Sequence, residues 1–203
     1  MNAWLLWTLI GFFSGSLMFS VWIGRLFLSK DIRSYGDHNP GATNVFRAGG
    51  KALGVIAVIL DITKAALPIG IARWIVGIEG PSLIPVALAP VLGHAYSPFL
   101  GFKGGKAIAA SGGMWIGLTI FHMPIVLLPM LLYWFAVIKN SGWVVIFTAL
   151  SGWFALLIGL PDPILISVLL LNLVIAIIKH WDDLRQPILL RPRLWLRRYS
   201  DVP

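Results

Sequence analysis

Long apolar segments alternate with short polar ones along the whole chain. Seven apolar stretches can be distinguished: 3–28, 52–76, 82–92, 107–121, 125–138, 142–160 and 164–178. A transmembrane helix needs about 20 mostly apolar residues, and continuous apolar runs differ from the alternating pattern of a membrane β-barrel. The pattern predicts an all-α integral membrane protein with about seven transmembrane helices, some of them short or broken by proline. The stretch 82–92 is expected to be too short to cross a membrane straight.

Composition supports the membrane assignment. Of 203 residues, 58% are hydrophobic and 12% are charged, and the mean hydropathy is +0.86. The net charge of +8 would suggest nucleic-acid binding in a soluble protein, but here the basic residues flank apolar stretches, so no nucleic-acid partner is expected. The absence of Cys excludes disulfides and thiolate metal sites. We expect one membrane domain, 1–203, with a basic cytoplasmic tail, 179–203, and an N-terminal stretch that is a span rather than a cleaved signal.

The distribution of Lys and Arg predicts the topology. With seven spans, 14 of the 16 basic residues lie on one side of the membrane, and the exceptions are Lys64 and Arg73. Because basic loops stay in the cytoplasm, the N-terminus should lie outside and the C-terminus in the cytoplasm. The polar stretches 29–51 and 93–106 then share the cytoplasmic face.

Both of these polar stretches are candidate anion-binding loops. The first contains a Gly- and Asn-rich run, 36–50, with Arg47 near its end. Gly and Asn tolerate positive φ, so such a loop can turn several N–H groups toward one anion, and an Arg fork suits phosphate. The second, 93–106, contains Gly104, Gly105 and two Lys residues ahead of an apolar segment, although it lacks the P-loop pattern. A tight connecting loop is the alternative for each stretch.

Asp61 and Lys64 are charged residues inside an apolar segment. Their spacing of three places them on one helix face, and ionisable groups within a span usually face a protein or water-filled interior. They are interpreted either as a structural ion pair or as the charged floor of a site.

Taken in order, these residues resemble the bacterial acyl-phosphate glycerol-3-phosphate acyltransferases of the PlsY type, over about residues 11–185. The most specific stretches are NPGATNVFR at 39–47, LDxxK at 60–64 followed by Pro68, GH at 93–94 and FLGFKGGK at 99–106. The resemblance implies a seven-span enzyme of the bacterial inner membrane with a cytoplasmic active site. It would transfer a fatty acyl group from acyl phosphate to the 1-hydroxyl of sn-glycerol 3-phosphate, giving lysophosphatidate and phosphate in the first step of phospholipid synthesis. No acyl-CoA, acyl carrier protein, metal or other cofactor is implied.

The chain departs from the family pattern at two polar positions. Asp37 stands where the family has a functionally important Ser, and Asp183 stands where an Asn follows the basic-His pair that is here Lys179-His180. The family's later Gly-x-Glu is also missing, since no Glu follows Glu79. An ionised carboxylate donates no hydrogen bond and repels phosphate unless a cation compensates. Asp37 is interpreted either as a general base or as an ion-pair partner of Arg47 or His38.

The loops and the resemblance together define the candidate residues. The catalytic candidates are Asp37, Arg47, His180 and Asp183. The substrate-binding candidates are Asn39, Gly41, Thr43, Asn44, His94, Lys103, Gly104, Gly105 and Lys106. The residues from 39 to 47 would hold one phosphate, those from 103 to 106 the other, and the two His residues would act at the edge as donors or proton shuttles. Since one chain supplies all of them, a monomer is expected.

Other functions remain open at this point. The two carboxylates are also compatible with a non-catalytic phosphate- or lipid-binding membrane protein, or with an acyltransferase that uses a different acceptor. The charged pair inside a span is compatible with a transporter, although no inverted repeat is visible. Thioester-dependent acyltransferases usually carry His-x4-Asp, which none of the four His residues forms here.

Overall fold

A computed structural model describes residues 2–159 and 161–191, which form ten α-helices joined by short turns and contain no β-sheet. The helices are α1 Ala3–Ser16, α2 Phe19–Leu28, α3 Ala42–Arg47, α4 Lys51–Gly70, α5 Leu83–Ala95, α6 Ile108–Thr119, α7 His122–Val137, α8 Ser141–Gly159, α9 Pro163–Lys179 and α10 Trp181–Leu184. The all-α prediction is confirmed. Residues 192–203 of the predicted basic tail, 179–203, lie outside the described residues.

Four helical stretches are long and apolar enough to cross a membrane: Ala3–Leu28, Lys51–Ile75, Gly80–Leu100 and Ser141–Gly159. Three further apolar helices are shorter: Ile108–Thr119, His122–Val137 and Pro163–Lys179. The prediction that 82–92 is too short was wrong, because α5 continues to Ala95 and 3-10 turns extend it on both sides. Pro85 lies in the first turn of α5, where a backbone N–H has no acceptor within the helix. The lack of an N–H in proline therefore costs no helical hydrogen bond there.

The first apolar stretch is broken between α1 and α2, at Leu17 and Met18. Lys64, in the middle of α4, donates from Nζ to the carbonyl oxygen of Leu17 over 2.5 Å. The same Nζ lies 2.7 Å from Asp61 Oδ1, and both side chains are almost fully buried. Asp61 Oδ2 accepts a 3.1 Å bond from Ser20 on α2. The prediction that Asp61 and Lys64 share a helix face is confirmed, and their pair joins α4 to the break in the first span.

Glycines allow the helices to approach closely, as is common in membrane bundles. A Cβ at Gly15 on α1 would collide with the backbone of Pro90 on α5, and a Cβ at Gly93 would collide with the carbonyl of Phe12. In the same way Gly113 on α6 lies against the carbonyl of Ile62 on α4. The pairs α1–α5 and α4–α6 therefore form close interfaces that hold the connecting loops in register at the helix ends.

One end of the bundle collects α3, α10 and four helix ends. α5 finishes there, α6 and α8 begin there, and α9 finishes at Lys179. After α10 the chain returns to the α7–α8 connection, where Ile138 and Leu190 pair as an isolated antiparallel bridge. This end carries both polar stretches singled out in the sequence.

Candidate functional site

Lys106 is the centre of a charged cluster at this end of the bundle. Its Nζ lies 2.9 Å from Asp37 Oδ2 and 2.9 Å from Asp183 Oδ2. The three residues come from the first polar stretch, the loop before α6 and the helix α10. We call Asp37, Asn44, Arg47, Lys106, Ser141 and Asp183 the Lys106 cluster. Four candidates from the sequence are thus joined by contacts in this cluster: Asp37, Arg47, Lys106 and Asp183.

Asp37 is held from its other side by α3. Its Oδ1 accepts from Arg47 Nη1 at 3.2 Å and from Asn44 Nδ2 at 3.2 Å, and Arg47 Nη1 also donates to Asn44 Oδ1 at 2.9 Å. The prediction of one continuous loop over 29–51 was wrong, because Asn44 and Arg47 share a face of a short helix. Gly36 has a φ of +56° and lies against the Arg47 guanidinium, so a side chain there would displace it.

Ser141 is a member of the cluster that the sequence analysis missed. At the start of α8 it donates from Oγ to Asp183 Oδ2 over 2.6 Å, and the Gly142 N–H donates to the same oxygen over 3.2 Å. A helix N-terminus favours a carboxylate in this position. A Ser at a loop-to-span junction was the only sequence signal, and it is a weak one because Ser is common at helix starts.

The Gly104–Gly105 loop packs against α5 and the first polar stretch. The Gly105 N–H donates to the His94 carbonyl over 3.0 Å, and the Lys106 N–H donates to Asn39 Oδ1 over 3.0 Å. A Cβ at either glycine would collide with His94. The glycines therefore permit close packing, and two of the N–H groups expected to face an anion are bonded within the protein.

The two candidate histidines occupy different positions. His94 is buried on α5 behind the loop, with Nδ1 3.9 Å from Asp61 Oδ1. His180, 2% exposed, follows α9 and lies next to Asp183. Its Nδ1 lies 2.9 Å from the Ala176 carbonyl, and since a carbonyl only accepts, Nδ1 carries the proton. Its Nε2 is buried without a hydrogen-bond partner among residues 2–159 and 161–191, so the Nε2 of the neutral ring keeps a free lone pair.

Three substrate-binding candidates stand apart from the cluster. Gly41 is buried and precedes α3, whereas Thr43 and Lys103 are exposed. Within the described part of the chain, neither Thr43 nor Lys103 makes a side-chain hydrogen bond. Lys179 instead donates to the carbonyls of Ala95 at 2.8 Å and Gly104 at 3.2 Å, which ties α9 to the loop.

The cluster keeps its charges at neutral pH. Burial opposes ionisation of Asp37 and Asp183, but hydrogen bonds from Lys106, and from Ser141 to Asp183, hold the pKa of both carboxyls below the usual value. The same two carboxylates outweigh burial and raise the pKa of Lys106. Burial lowers the pKa of His180 and keeps its ring neutral. The site thus combines fixed charges with a neutral imidazole.

An apolar cavity of about 170 Å³ ends at Lys106. It lies among α4, α6, α7, α8 and α9, and its walls include Trp115, Leu128 and Leu169. One polar pair interrupts the wall, where Ser111 Oγ donates to Asn172 Oδ1 over 3.0 Å. A charged centre and an apolar cavity thus meet at one residue. Among the residues described, no group of three or more His, Asp or Glu side chains is arranged to hold a metal ion.

Comparison with known proteins identifies the family. A family model described as glycerol-3-phosphate acyltransferase matches residues 5–188. A glycerol-3-phosphate acyltransferase of Streptococcus thermophilus (strain ATCC BAA-491 / LMD-9) is 32% identical over 190 residues, which cover 89% of this chain and 87% of that protein. One of Anaeromyxobacter sp. (strain Fw109-5) is 46% identical over 112 residues, and this match spans about half of each protein, 54% of this chain and 55% of the relative.

Solved structures agree with this assignment. The integral membrane glycerol 3-phosphate acyltransferase PlsY (YgiH), in its glycerol 3-phosphate form, has a TM-score of 0.80 and 27% identity to this chain. That match covers 97% of this chain and 99% of the PlsY chain. The lysophosphatidic acid form of PlsY has a TM-score of 0.79 and 26% identity, with 91% of both chains covered.

Proposed function

The chain belongs to the glycerol-3-phosphate acyltransferase family, and we propose that it transfers a fatty acyl group from acyl phosphate to the 1-hydroxyl of sn-glycerol 3-phosphate. The products are lysophosphatidate and inorganic phosphate. No cofactor takes part, because the acyl phosphate is already an activated donor. The glycerol 3-phosphate and lysophosphatidic acid forms of PlsY support the acceptor and product.

The meeting of the apolar cavity with Lys106 is the observation that carries this proposal. The cavity suits the acyl chain, and Lys106 at its end suits the phosphate of the donor. Arg47, on the outer side of Asp37, is half-exposed and suits the phosphate of a water-soluble acceptor. The acyl carbonyl would then lie close to both cations, which Asp37 bridges, and positioning and charge stabilisation would supply most of the catalysis.

His180 is the proposed general base. The 1-hydroxyl oxygen attacks the acyl carbonyl carbon, the new ester bond forms, and the bond from that carbon to the phosphate oxygen breaks. The hydroxyl proton passes to His180 Nε2 and then to the departing phosphate. Asp37 accepts bonds from Arg47, Asn44 and Lys106 and is a weak base, so we assign it and Asp183 to positioning the cations.

Activity with purified protein tests the function. Palmitoyl phosphate and labelled glycerol 3-phosphate are expected to give labelled lysophosphatidate, whereas palmitoyl-CoA is expected to give none. Product from palmitoyl-CoA would refute the donor assignment. A folded protein that forms no product from either donor would favour the binding-protein alternative, and uptake of glycerol 3-phosphate into sealed vesicles would favour the transporter.

The pH profile separates His180 from the carboxylates. Burial lowers the pKa of His180 from its ordinary 6.5, so the neutral base predominates above that pH and is lost as the pH falls through the lowered pKa. Asp37 and Asp183 stay ionised throughout this range. We expect kcat to fall only when the pH drops through this lowered pKa, below the ordinary value of imidazole. In His180→Gln we expect kcat to be about 10²–10⁴-fold lower and this acid limb to be absent. Dividing one profile by the other removes the titration of the phosphate substrates, and a constant ratio would contradict the role of His180.

We extend the proposal to topology and location. The chain would cross the bacterial inner membrane seven times, with the N-terminus outside and the Lys106 cluster on the cytoplasmic face. The positions of the basic loops and of the helix ends agree with this arrangement. A single domain and a monomer suffice, since one chain supplies every residue of the cluster.

Labelling at introduced cysteines tests this topology, because the chain has no native Cys. Glu79 and Lys139 are both exposed and lie in connections at opposite ends of the bundle. In intact spheroplasts we expect a membrane-impermeant maleimide to label Glu79→Cys and to label Lys139→Cys only after permeabilisation. The reverse pattern would overturn the orientation, and labelling of both in intact spheroplasts would overturn the number of spans.

A further inference from the structure

A second cavity, bordered by both charged and apolar side chains, lies at the opposite end of the helices from the Lys106 cluster. It has a volume of about 400 Å³ and is lined by the helical turn Ile71–Ile75 that follows α4, the end of α6, the start of α7 and the turn before α9. The 17 residues of α9 separate this end from His180, a distance of about 25 Å along a helix. The cavity is therefore independent of the site proposed for acyl transfer.

Arg73 supplies this cavity with a cation that lacks a full set of partners. Its guanidinium lies over the Trp74 ring, 4.8 Å from the centroid, and its Nη1 is buried without a hydrogen-bond partner among the residues described. Trp74 is itself fixed by a 2.9 Å bond from Nε1 to the Gly117 carbonyl. Because guanidinium groups match the geometry of phosphate oxygens, an oxyanion would satisfy the unpaired N–H.

Asp162 supplies a carboxylate to the same cavity. Its Oδ1 caps α9 by accepting from the N–H groups of Ile164 at 2.7 Å and Leu165 at 3.4 Å. Arg73 and Asp162 both line the cavity, yet within residues 2–159 and 161–191 neither forms a salt bridge with the other or with any other side chain. A simple anion bound at Arg73 would be repelled by Asp162, and a simple cation bound at Asp162 would be repelled by Arg73. The pair is complementary to a ligand that carries both charges.

The surroundings of the cavity favour a lipid over a water-soluble ligand. Ile75 and Phe121, the neighbours of Trp74 and His122 in the chain, are 79% and 77% exposed. In a membrane protein, such side chains at the end of apolar helices face acyl chains, and Trp marks the level of the headgroups. We propose that the cavity binds the phosphoethanolamine headgroup of a membrane phospholipid. The phosphate lies at Arg73, the ammonium at Asp162, and the acyl chains extend over Ile75 and Phe121.

Lipid retention measured by native mass spectrometry tests the proposal. The full-length protein is mixed with phosphatidylethanolamine, phosphatidylglycerol or phosphatidylcholine carrying identical acyl chains. We expect the wild type to retain phosphatidylethanolamine about tenfold more strongly than the other two, and Arg73→Gln to lose this retention about tenfold. Asp162→Asn keeps a helix-capping residue but removes the charge, so it should shift the preference to phosphatidylglycerol. Arg25→Gln, a change of an exposed Arg at the other end of the bundle, is the matched control.

Three results would overturn the proposal. Equal retention of the three lipids by the wild type would remove the headgroup preference, and unchanged retention in Arg73→Gln would remove the site. If soluble phosphoethanolamine protected the protein against thermal unfolding as well as phosphatidylethanolamine does, the ligand would not be a lipid. Acyl transfer is assayed separately and depends on the Lys106 cluster, so failure of this proposal leaves the enzymatic one intact.

Discussion

Replacing Lys106 by Met is expected to lower kcat/KM for acyl transfer by about 10²–10³-fold. Lys106 is shared by Asp37 and Asp183 and lines the end of the apolar cavity. Met preserves the apolar stem and removes the charge, so two partly buried carboxylates remain side by side and repel the donor phosphate. The loss should also appear in kcat, measured with both substrates at saturation, because the amine stabilises charge on the departing phosphate.

Steady-state kinetics in detergent or lipid measures this effect. Lys51→Met is the matched control, since Lys51 is an exposed residue at the start of α4, outside the cluster. It should retain activity within about threefold, as is usual for exposed side chains. A Lys106→Met enzyme with near-wild-type kcat and KM would contradict the placement of the donor phosphate at Lys106.

Replacing Lys64 by Met is expected to lower stability by about 3–5 kcal/mol. The change removes the ion-pair partner of buried Asp61 and the bond to the Leu17 carbonyl at the break in the first span. An unpaired carboxylate among apolar helices is costly unless it takes up a proton. For a chain of this size the loss corresponds to a fall in Tm of about 10 °C.

A double variant separates the ion pair from a simple packing effect. Asp61→Asn combined with Lys64→Met removes both charges, and replacing a buried pair by neutral residues is often close to neutral in stability. We expect the double variant to recover much of the Tm lost in Lys64→Met, as followed by thermal unfolding in one detergent. A double variant that is less stable than Lys64→Met would show that the charged pair is not the source of the effect.

Charge and periodicity were enough to predict the membrane fold and the common face of the two polar stretches. Basic residues placed both stretches on one side, and the structure joins them through the Lys106 N–H and Asn39 Oδ1. Helical spacing alone placed Asp61 and Lys64 on one helix face, and the structure brings them into contact. These features depend on the local sequence and on the membrane as a solvent. They can be predicted without information about tertiary contacts.

Features that depend on contacts between distant segments could not be predicted. The role of Ser141 requires α8 and α10 to meet, and the close packing at Gly105 requires His94 to lie behind the loop. The helix over Ala42–Arg47 is only six residues long, so its apolar periodicity is too short to read. Periodicity also underestimated α5, because Pro85 and Pro90 are compatible with a helix in positions that the sequence does not reveal.

The stoichiometry of the wild-type reaction tests the central claim most directly, because Asp37 and Asp183 put the acceptor in question. Phosphate and lysophosphatidate are measured together with palmitoyl phosphate as donor and glycerol 3-phosphate as acceptor. We predict that the two products rise in equal amounts from the start of the reaction. Phosphate release that does not depend on glycerol 3-phosphate and yields no lysophosphatidate would show that the donor site works but that the acceptor is a different molecule.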